Sequence, residues 1–204
     1  MEEFSPEDRA YELIDFYQPG KCFGRIRKQL LEEFEPKDPL GERNEEMLAR
    51  IRESAGAVCV HVRRGDYLCY QLSGRFPVQS AEFFHGAGKI FEEKVQNPHF
   101  FVFSDDIGWA RENLHFESPY TFVDINSEEE SWKDIVLMMN CKHFLTSVST
   151  FSWWAAWLGQ DPNKIVIIPA KWPFLGKNLK LFFDEDWIQI SESGEIVDDS
   201  QRSQ

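Results

Sequence analysis

The sequence is short of positive charge. Its 22 Lys and Arg stand against 35 Asp and Glu, for a net charge of −13 at pH 7. A nucleic-acid binder needs a broad basic surface to neutralise phosphates, so that class is excluded. A small anionic ligand is not excluded, because it needs only a local cluster of donors. Cysteine is scarce as well: Cys22, Cys59, Cys69 and Cys141. No two have CxxC spacing and no histidine stands near them at zinc-ligand spacing, which speaks against a metal finger. Cys59 and Cys141 lie inside apolar segments and read as buried thiols, which implies a reducing, cytoplasmic setting. The opening "MEEFSPEDRAYEL" lacks the basic and apolar regions of a signal peptide. No apolar run approaches the roughly 18 residues of a membrane span. The expected location is therefore cytoplasmic, or peripheral to a membrane through a surface or a partner. Repeats and low-complexity linkers are absent. So are a G-x-G-x-x-G fingerprint, a Walker loop, a Gly-x-Ser-x-Gly elbow and any Cys–His pairing of protease type.

Aromatic residues, by contrast, are plentiful. Seven Trp and 18 Phe in 204 residues, with 42% hydrophobic residues overall, are enough for one sizeable aromatic-rich core. Three stretches are expected: an acidic N-terminal and linking helical segment over 1–55, a main domain over 56–190, and a disordered polar tail over 191–204. Pro19 and Gly20 close the acidic, aromatic start.

Apolar β-branched runs alternate with helical patterns along the chain. Glu42 to Ser54 reads as a helix with Met47, Leu48 and Ile51 on one face. "AVCVHV", "HFFVFS", "YTFVDI", "HFLTS" and "KIVIIPA" read as five strands, the last stopped by Pro169. Between them come a helix begun by Ser80, a short helix over "DDIGWARENL" capped by an aspartate, and a helix over "SEEESWKDIVLMMN". The last of these carries Ser127 and Glu130 as a capping box. "STFSWWAAWLG" is a further helix, ended by Gly159. Strands alternating with helices imply an α/β fold: a Rossmann-like parallel sheet with helices on both faces. Such sheets bind ligands beyond the carboxyl ends of their strands. The polar residues stand there: His61, Arg63 and Arg64 close the first strand, Ser104, Asp105 and Asp106 follow the second, Asp124 ends the third, and Ser147, Ser149 and Thr150 follow the fourth.

"VHVRRGDYL" (60–68) is the most informative stretch. At strand period two, His61 and Arg63 share one side and Arg64 takes the other. Arg63 can then reach a ligand while Arg64 anchors elsewhere. A guanidinium fork matches phosphate with two parallel hydrogen bonds, and Gly65 permits a tight turn. The alternative is that both arginines pair with Asp66 and other carboxylates as surface ion pairs. Arg64-Gly65-Asp66 is also the tripeptide of cell-adhesion loops, but abutting a buried strand it makes a poor one. In "TSVSTFSWW", Ser149, Thr150 and Ser152 open a helix whose N–H groups and dipole suit a phosphate; plain N-capping by Ser149 or Thr150 explains the hydroxyls equally. Trp153, Trp154 and Trp157 read as packing, with a carbohydrate-binding platform as the alternative. Asp105 and Asp106 suit a metal, a ribose, or the cap of the following helix. Asp134 reads as the solvated side of its helix.

"HVRRGDY", "FVFSDD", "DIVLMMNCKHFLTS", "STFSWWAAWL" and "KIVIIPAKW" stand in the order seen in the α-1,2-fucosyltransferase family, glycosyltransferase family 11, the bacterial type in particular. The resemblance covers residues 15–190, and "FYQPGKCFGRIRKQLLEEF" resembles the segment ahead of the Arg-Arg motif. It implies the C-terminal, donor-binding half of a GT-B glycosyltransferase. The implied activity is inverting transfer of L-fucose from GDP-fucose to the 2-hydroxyl of a galactose-terminated glycan, with no metal or other cofactor. Arg63 is implied to bind the β-phosphate and stabilise the leaving GDP. His61 and Asp134 would hold the donor, Asp134 toward guanine, while Ser149 and Thr150 supply phosphate contacts. Asp105, Phe151 and Ser152 complete the implied donor-binding set, and Asp66 is the candidate catalytic base by proximity. Family members open with a "GGLGNQ" segment and an acceptor-side domain that this chain is expected to lack, and commonly carry asparagine where it has Val148. The alternative function is a truncated, non-catalytic GDP-sugar-binding remnant or a partner-dependent half-enzyme.

Overall fold

Each apolar run becomes a strand, and each amphipathic stretch between runs becomes a helix. The computed structural model describes residues 23–71, 77–172 and 182–197. The acidic start, the Pro19–Gly20 break, Cys22 and the chain beyond Val197 lie outside the described residues. A 3-10 turn, Gly24–Ile26, leads into α1 (Arg27–Glu33), and α2 spans Glu42–Glu53. There follow β1 (Gly56–Val62), α3 (Gly65–Gln71), α4 (Ala81–Lys94), β2 (Pro98–Ser104), α5 (Ile107–Asn113) and β3 (Tyr120–Phe122). Then come α6 (Ser131–Met139), β4 (His143–Leu145), α7 (Thr150–Leu158), β5 (Val166–Pro169) and β6 (Ile188–Ile190).

The strands form one sheet in the order β3-β2-β1-β4-β5-β6, and every pairing is parallel. This is the doubly wound, Rossmann-like arrangement, which folds outward in both directions from the β1–β4 pair. β1 lies at the centre and is buried along its whole length. That is why its sequence shows no apolar–polar alternation. Ala57 and Cys59 face one core with Phe101 and Phe103, under α2, α6 and α7. Val58, Val60 and Val62 face the other, under α4 and α5, with Phe83, Phe84 and Phe91. Two apolar faces, each covered by helices, remove enough apolar surface from water to hold the sheet. No described helix is long and apolar enough to cross a membrane.

Several local expectations need correcting. The sheet has six strands among the described residues, not five; "IQI" is too short to read as a strand in sequence, and pairing with β5 recruits it. Gly65 does not open a simple turn. It is the first residue of α3, and a Cβ there would stand 2.7 Å from an Asp105 carboxylate oxygen. A side chain there would push the Asp105 carboxylate aside. Only half of the Ser127–Glu130 capping box forms, the Glu130 carboxylate accepting from the Ser127 backbone N–H. Residues Glu128–Glu130 make a 3-10 turn, Ser127's side chain caps nothing, and Glu130's carboxylate also pairs with Lys133. Gly159 ends α7 with φ −48, not in the left-handed region. Its missing side chain makes room for the Phe144 ring, which an added Cβ would approach to 2.4 Å. Residues 191–197, expected to open a disordered tail, are folded. Ser191 to Val197 fold back on β6, with Gly194 pressed against Gly86 of α4.

The other caps and thiols agree with the sequence. Ser80 caps α4 by accepting from the Phe83 N–H, and Asp106 caps α5 by accepting from Trp109. Cys59 and Cys141 are buried, while Cys69 is exposed.

Candidate functional site

β1 and β4 are adjacent and parallel, but the chain leaves them toward opposite halves of the sheet. Their carboxyl ends therefore border a crevice. Val62 ends β1 opposite Ser104 of β2, and Leu145 ends β4 opposite Val60. Ser147, fully buried, bridges the two ends: its hydroxyl donates to the His61 carbonyl and accepts from the Arg63 N–H at 3.1 Å. That one side chain sets where Arg63 departs from the sheet. Sequence reasoning placed Ser147 after a strand but assigned it nothing, because its partners lie more than 80 residues away.

The charged groups beyond β1 split by face, as period two requires. Arg64 lies on the α5 side. Its guanidinium stacks 3.8 Å above Trp109 and its Nε donates to Asp106 at 3.2 Å, an anchored role. Arg63 carries two carboxylates: Asp105 Oδ2 lies 3.1 Å from Nη1, and Asp66 Oδ1 lies 2.9 Å from Nη2. The ion-pair reading of this motif is thus what the structure displays, with Asp66 on Arg63 and not on Arg64. Asp105 also accepts from the Arg64 backbone N–H at 2.8 Å. Of the two adjacent aspartates, Asp106 caps a helix and Asp105 frames the arginines.

His61 sits under this cluster, 5% exposed, its ring 5.6 Å from Phe151 and its Nδ1 without a hydrogen-bond partner among the described residues. Burial, and then the charge of Arg63, push its pKa down to about 3. It is a neutral hydrogen-bonding group at neutral pH, which suits holding a ligand better than taking a proton. Thr146 Oγ1, one residue beyond β4, is a second buried polar atom with no partner among the described residues. Buried polar atoms are normally paired, so two orphans in one crevice point to a ligand.

α7 begins at the same crevice. Ser149 stands at its N-cap, but its side chain makes no capping bond. The expected side-chain cap is missing, and the first N–H groups of α7 have no intrahelical acceptor. Thr150 is exposed and Phe151 half-buried, whereas Ser152 is 1% exposed and spends its hydroxyl on the Ser149 carbonyl. Val148 is fully buried in the apolar core, and its N–H donates to Oε1 of the equally hidden Gln79 at 3.2 Å. Trp153 and Trp157, 1% and 4% exposed, are core residues and offer no face to a sugar.

Asp134 belongs to a separate network. Asn126, after β3, donates to Asp134 Oδ1 at 2.6 Å and exchanges a reciprocal amide pair with Asn44 of α2 at 2.8 and 2.9 Å. Burial pushes the Asp134 carboxyl up to about 6, against the opposing pull of the Asn126 hydrogen bond. This is not the solvated carboxylate the helical pattern suggests. Asn44 and Asn126 carry no sequence signal, because they meet only through folding. Among the described residues, no group of three His, Cys, Asp or Glu side chains is gathered as a metal would need.

The strand-end cluster, the orphaned His61 and the uncapped helix can be set against known proteins. The chain is 34% identical over 193 residues to the O-antigen biosynthesis glycosyltransferase WbnK of Escherichia coli, covering 89% of this chain and 61% of that protein. It is 31% identical over 190 residues to an alpha-1,2-colitosyltransferase of Escherichia coli, covering 90% and 63%. To galactoside alpha-(1,2)-fucosyltransferase 1 of Leontocebus fuscicollis it is 33% identical over 159 residues, covering 74% and 44%. The chain thus spans about three-fifths of the length of these two Escherichia coli proteins. No solved structure matches it. The family model described as glycosyl transferase family 11 matches residues 5–191, and the chain belongs to that family.

Proposed function

We propose that the chain forms the donor-binding half of a GT-B glycosyltransferase. In this reading it transfers L-fucose from GDP-fucose to the 2-hydroxyl of a galactoside, forming an α-1,2 linkage with inversion and without a metal or other cofactor. The observation that carries the proposal is Arg63: a guanidinium held at the point where the strand order reverses, beside the open N-terminus of α7. A nucleotide diphosphate fits that geometry. The names of the relatives support the linkage more strongly than the sugar, since α-1,2 is common to the colitosyl- and fucosyltransferases while the sugar differs.

The roles follow from chemistry. A carboxylate, Asp66, takes the proton of the acceptor hydroxyl. That oxygen attacks the anomeric carbon from the face opposite the diphosphate, and the bond from the anomeric carbon to the phosphate oxygen breaks. GDP departs with the electron pair. Arg63, with the N–H groups of Thr150 and Phe151, meets the charge that grows on the departing diphosphate. His61 and Ser149 line the donor's path, Asp105 enters the site through Arg63, Ser152 braces the first turn of α7, and Asp134 reads the guanine edge. A second reading is donor binding that needs further residues or a partner chain for turnover; the three-fifths coverage of the relatives favours keeping it.

Calorimetric titration with GDP, followed by a GDP-fucose turnover assay with lactose, tests both. Turnover supports the transferase. Binding without turnover supports the second reading. Lactose binding with no GDP binding defeats both.

A further inference from the structure

Arg63 is already engaged before any ligand is considered. Asp105 holds Nη1 and Asp66 holds Nη2. A phosphate captured through two parallel N–H bonds needs a full edge of the guanidinium, and Nη2 belongs to the edge it shares with Nε. The surrounding charge is also unfavourable to an anion. Arg63 and Arg64 face Asp66, Asp105 and Asp106, so two positive charges meet three negative ones.

The two carboxylates on Arg63 are not held alike. Asp105 has its second oxygen on the Arg64 N–H and is wedged where Gly65 lacks a Cβ; its side chain is 25% exposed. Asp66 touches Arg63 through one oxygen, and its side chain is 53% exposed, on the first turn of α3. A half-exposed pair of this kind is weak enough to exchange for a better anion. The asymmetry sits on one guanidinium within hydrogen-bonding distance of both groups.

We propose that Asp66 is a displaceable counterion: it holds the Nη2 corner of Arg63 until the donor's diphosphate takes that corner, while Asp105 stays on Nη1 and aims the guanidinium. Displacement leaves Asp66 unpaired beside the bound donor, free to accept a proton, so donor binding and arming of the base become one event. The donor then binds before the acceptor is activated. This rests on the reading of Arg63 as a diphosphate ligand.

The test is calorimetry with GDP on the full chain. Asp66→Asn removes the competing charge and should bind GDP roughly three- to tenfold more tightly than the wild type, while turnover of GDP-fucose falls. A structural role for Asp66 cannot produce tighter binding. Asp66→Ala should shift affinity in the same direction, and thermal melting of both variants verifies folding. Asp105→Asn should weaken GDP binding, but should cost nothing further in an Arg63→Ala background, because it acts through Arg63. Unchanged or weaker binding by both Asp66 variants, with the wild type binding GDP, overturns the proposal and leaves the reading of the site intact. A gain that persists in Arg63→Ala/Asp66→Asn also overturns it, since the tightening would then not pass through Arg63. GDP bound by neither wild type nor Asp66→Asn overturns the reading of the site as well.

Discussion

Two cationic clusters lie at opposite ends of the sheet and spend their charge differently. At the amino end, Arg27 Nη2 donates to the carbonyls of Trp157, Leu158 and Gly159, and Lys164 Nζ donates to those of Ala156, Trp157 and Gly159. Both cations close the carboxyl end of α7, where the helix dipole favours positive charge. Burial, and then Arg27, lower the Lys164 pKa to about 8, which still leaves it charged at neutral pH. At the carboxyl end, Arg63 and Arg64 are matched by side-chain carboxylates. Backbone carbonyls cannot leave a helix, but a half-exposed aspartate can swing away.

The amino-end cluster borders a cavity of about 480 Å³ lined by Arg27, Trp157, Lys164, Asp184 and Asp186 among others. Its cations, however, are committed to holding α7. The strand-end cluster keeps an exchangeable arginine, an orphaned imidazole and an uncapped helix. Of three buried side-chain polar atoms without partners among the described residues, two lie there; the third, Trp187 Nε1, sits in the aromatic core beside Trp153. The comparison teaches that one end of α7 is closed by cations, while the other keeps unsatisfied groups.

The sharpest way to break this contrast is to remove one arginine from each end. Arg63→Ala should weaken GDP binding by more than about 30-fold, the usual cost of deleting one partner of a charge-assisted pair, with the melting temperature nearly unchanged. Comparable GDP affinity in the variant would take Arg63 out of the site.

His61 extends the contrast to pH. Its folded pKa of about 3 lies below the ordinary 6.5, so the unfolded chain binds a proton that the folded chain refuses. Stability is fully present above pH 6.5 and is lost as pH falls toward 3. At pH 5 the loss is about 2 kcal/mol. In His61→Gln, denaturant unfolding should show a shallower decline between pH 6.5 and 4; an identical profile would mean that the imidazole is not the group responsible.

Asp134 has the opposite sign. Its carboxyl is raised from 3.8 to about 6, so the folded chain holds the extra proton. That contribution is present below pH 3.8 and is lost as pH rises through 6, leaving a penalty of about 2 kcal/mol at pH 7 after allowance for partial exposure. Asp134→Asn, which can still accept from Asn126, should raise the melting temperature at pH 7 and weaken GDP binding. Stabilisation with unchanged GDP affinity would separate Asp134 from guanine.

The smallest effect belongs to the amino end. Arg27→Ala should cost about 1 kcal/mol in unfolding free energy and leave GDP affinity as it was. A loss of GDP binding without a loss of stability would reverse the roles of the two ends.

Much of this fold can be read along the chain, because burial on both faces writes itself into local composition. "AVCVHV", "HFFVFS" and "KIVIIPA" are strands wherever they pack, and the caps at Ser80 and Asp106 need only their own helices. The division of Arg63 and Arg64 between faces likewise follows from the alternation of a strand. The resemblance of the five motifs to family 11 is also present in sequence alone. Folding decided the pairings that join distant residues. Ser147 meets His61 and Arg63, Gln79 meets Val148, Asn126 links Asn44 to Asp134, and "IQI" becomes a strand only beside β5. Hydrogen-bond partners of this kind are set by where elements meet in space, which no local pattern encodes. The same holds for the difference between Asp66 and Asp105. In sequence they are two aspartates near an arginine; in the fold one is wedged against Gly65 and the other is half open to water.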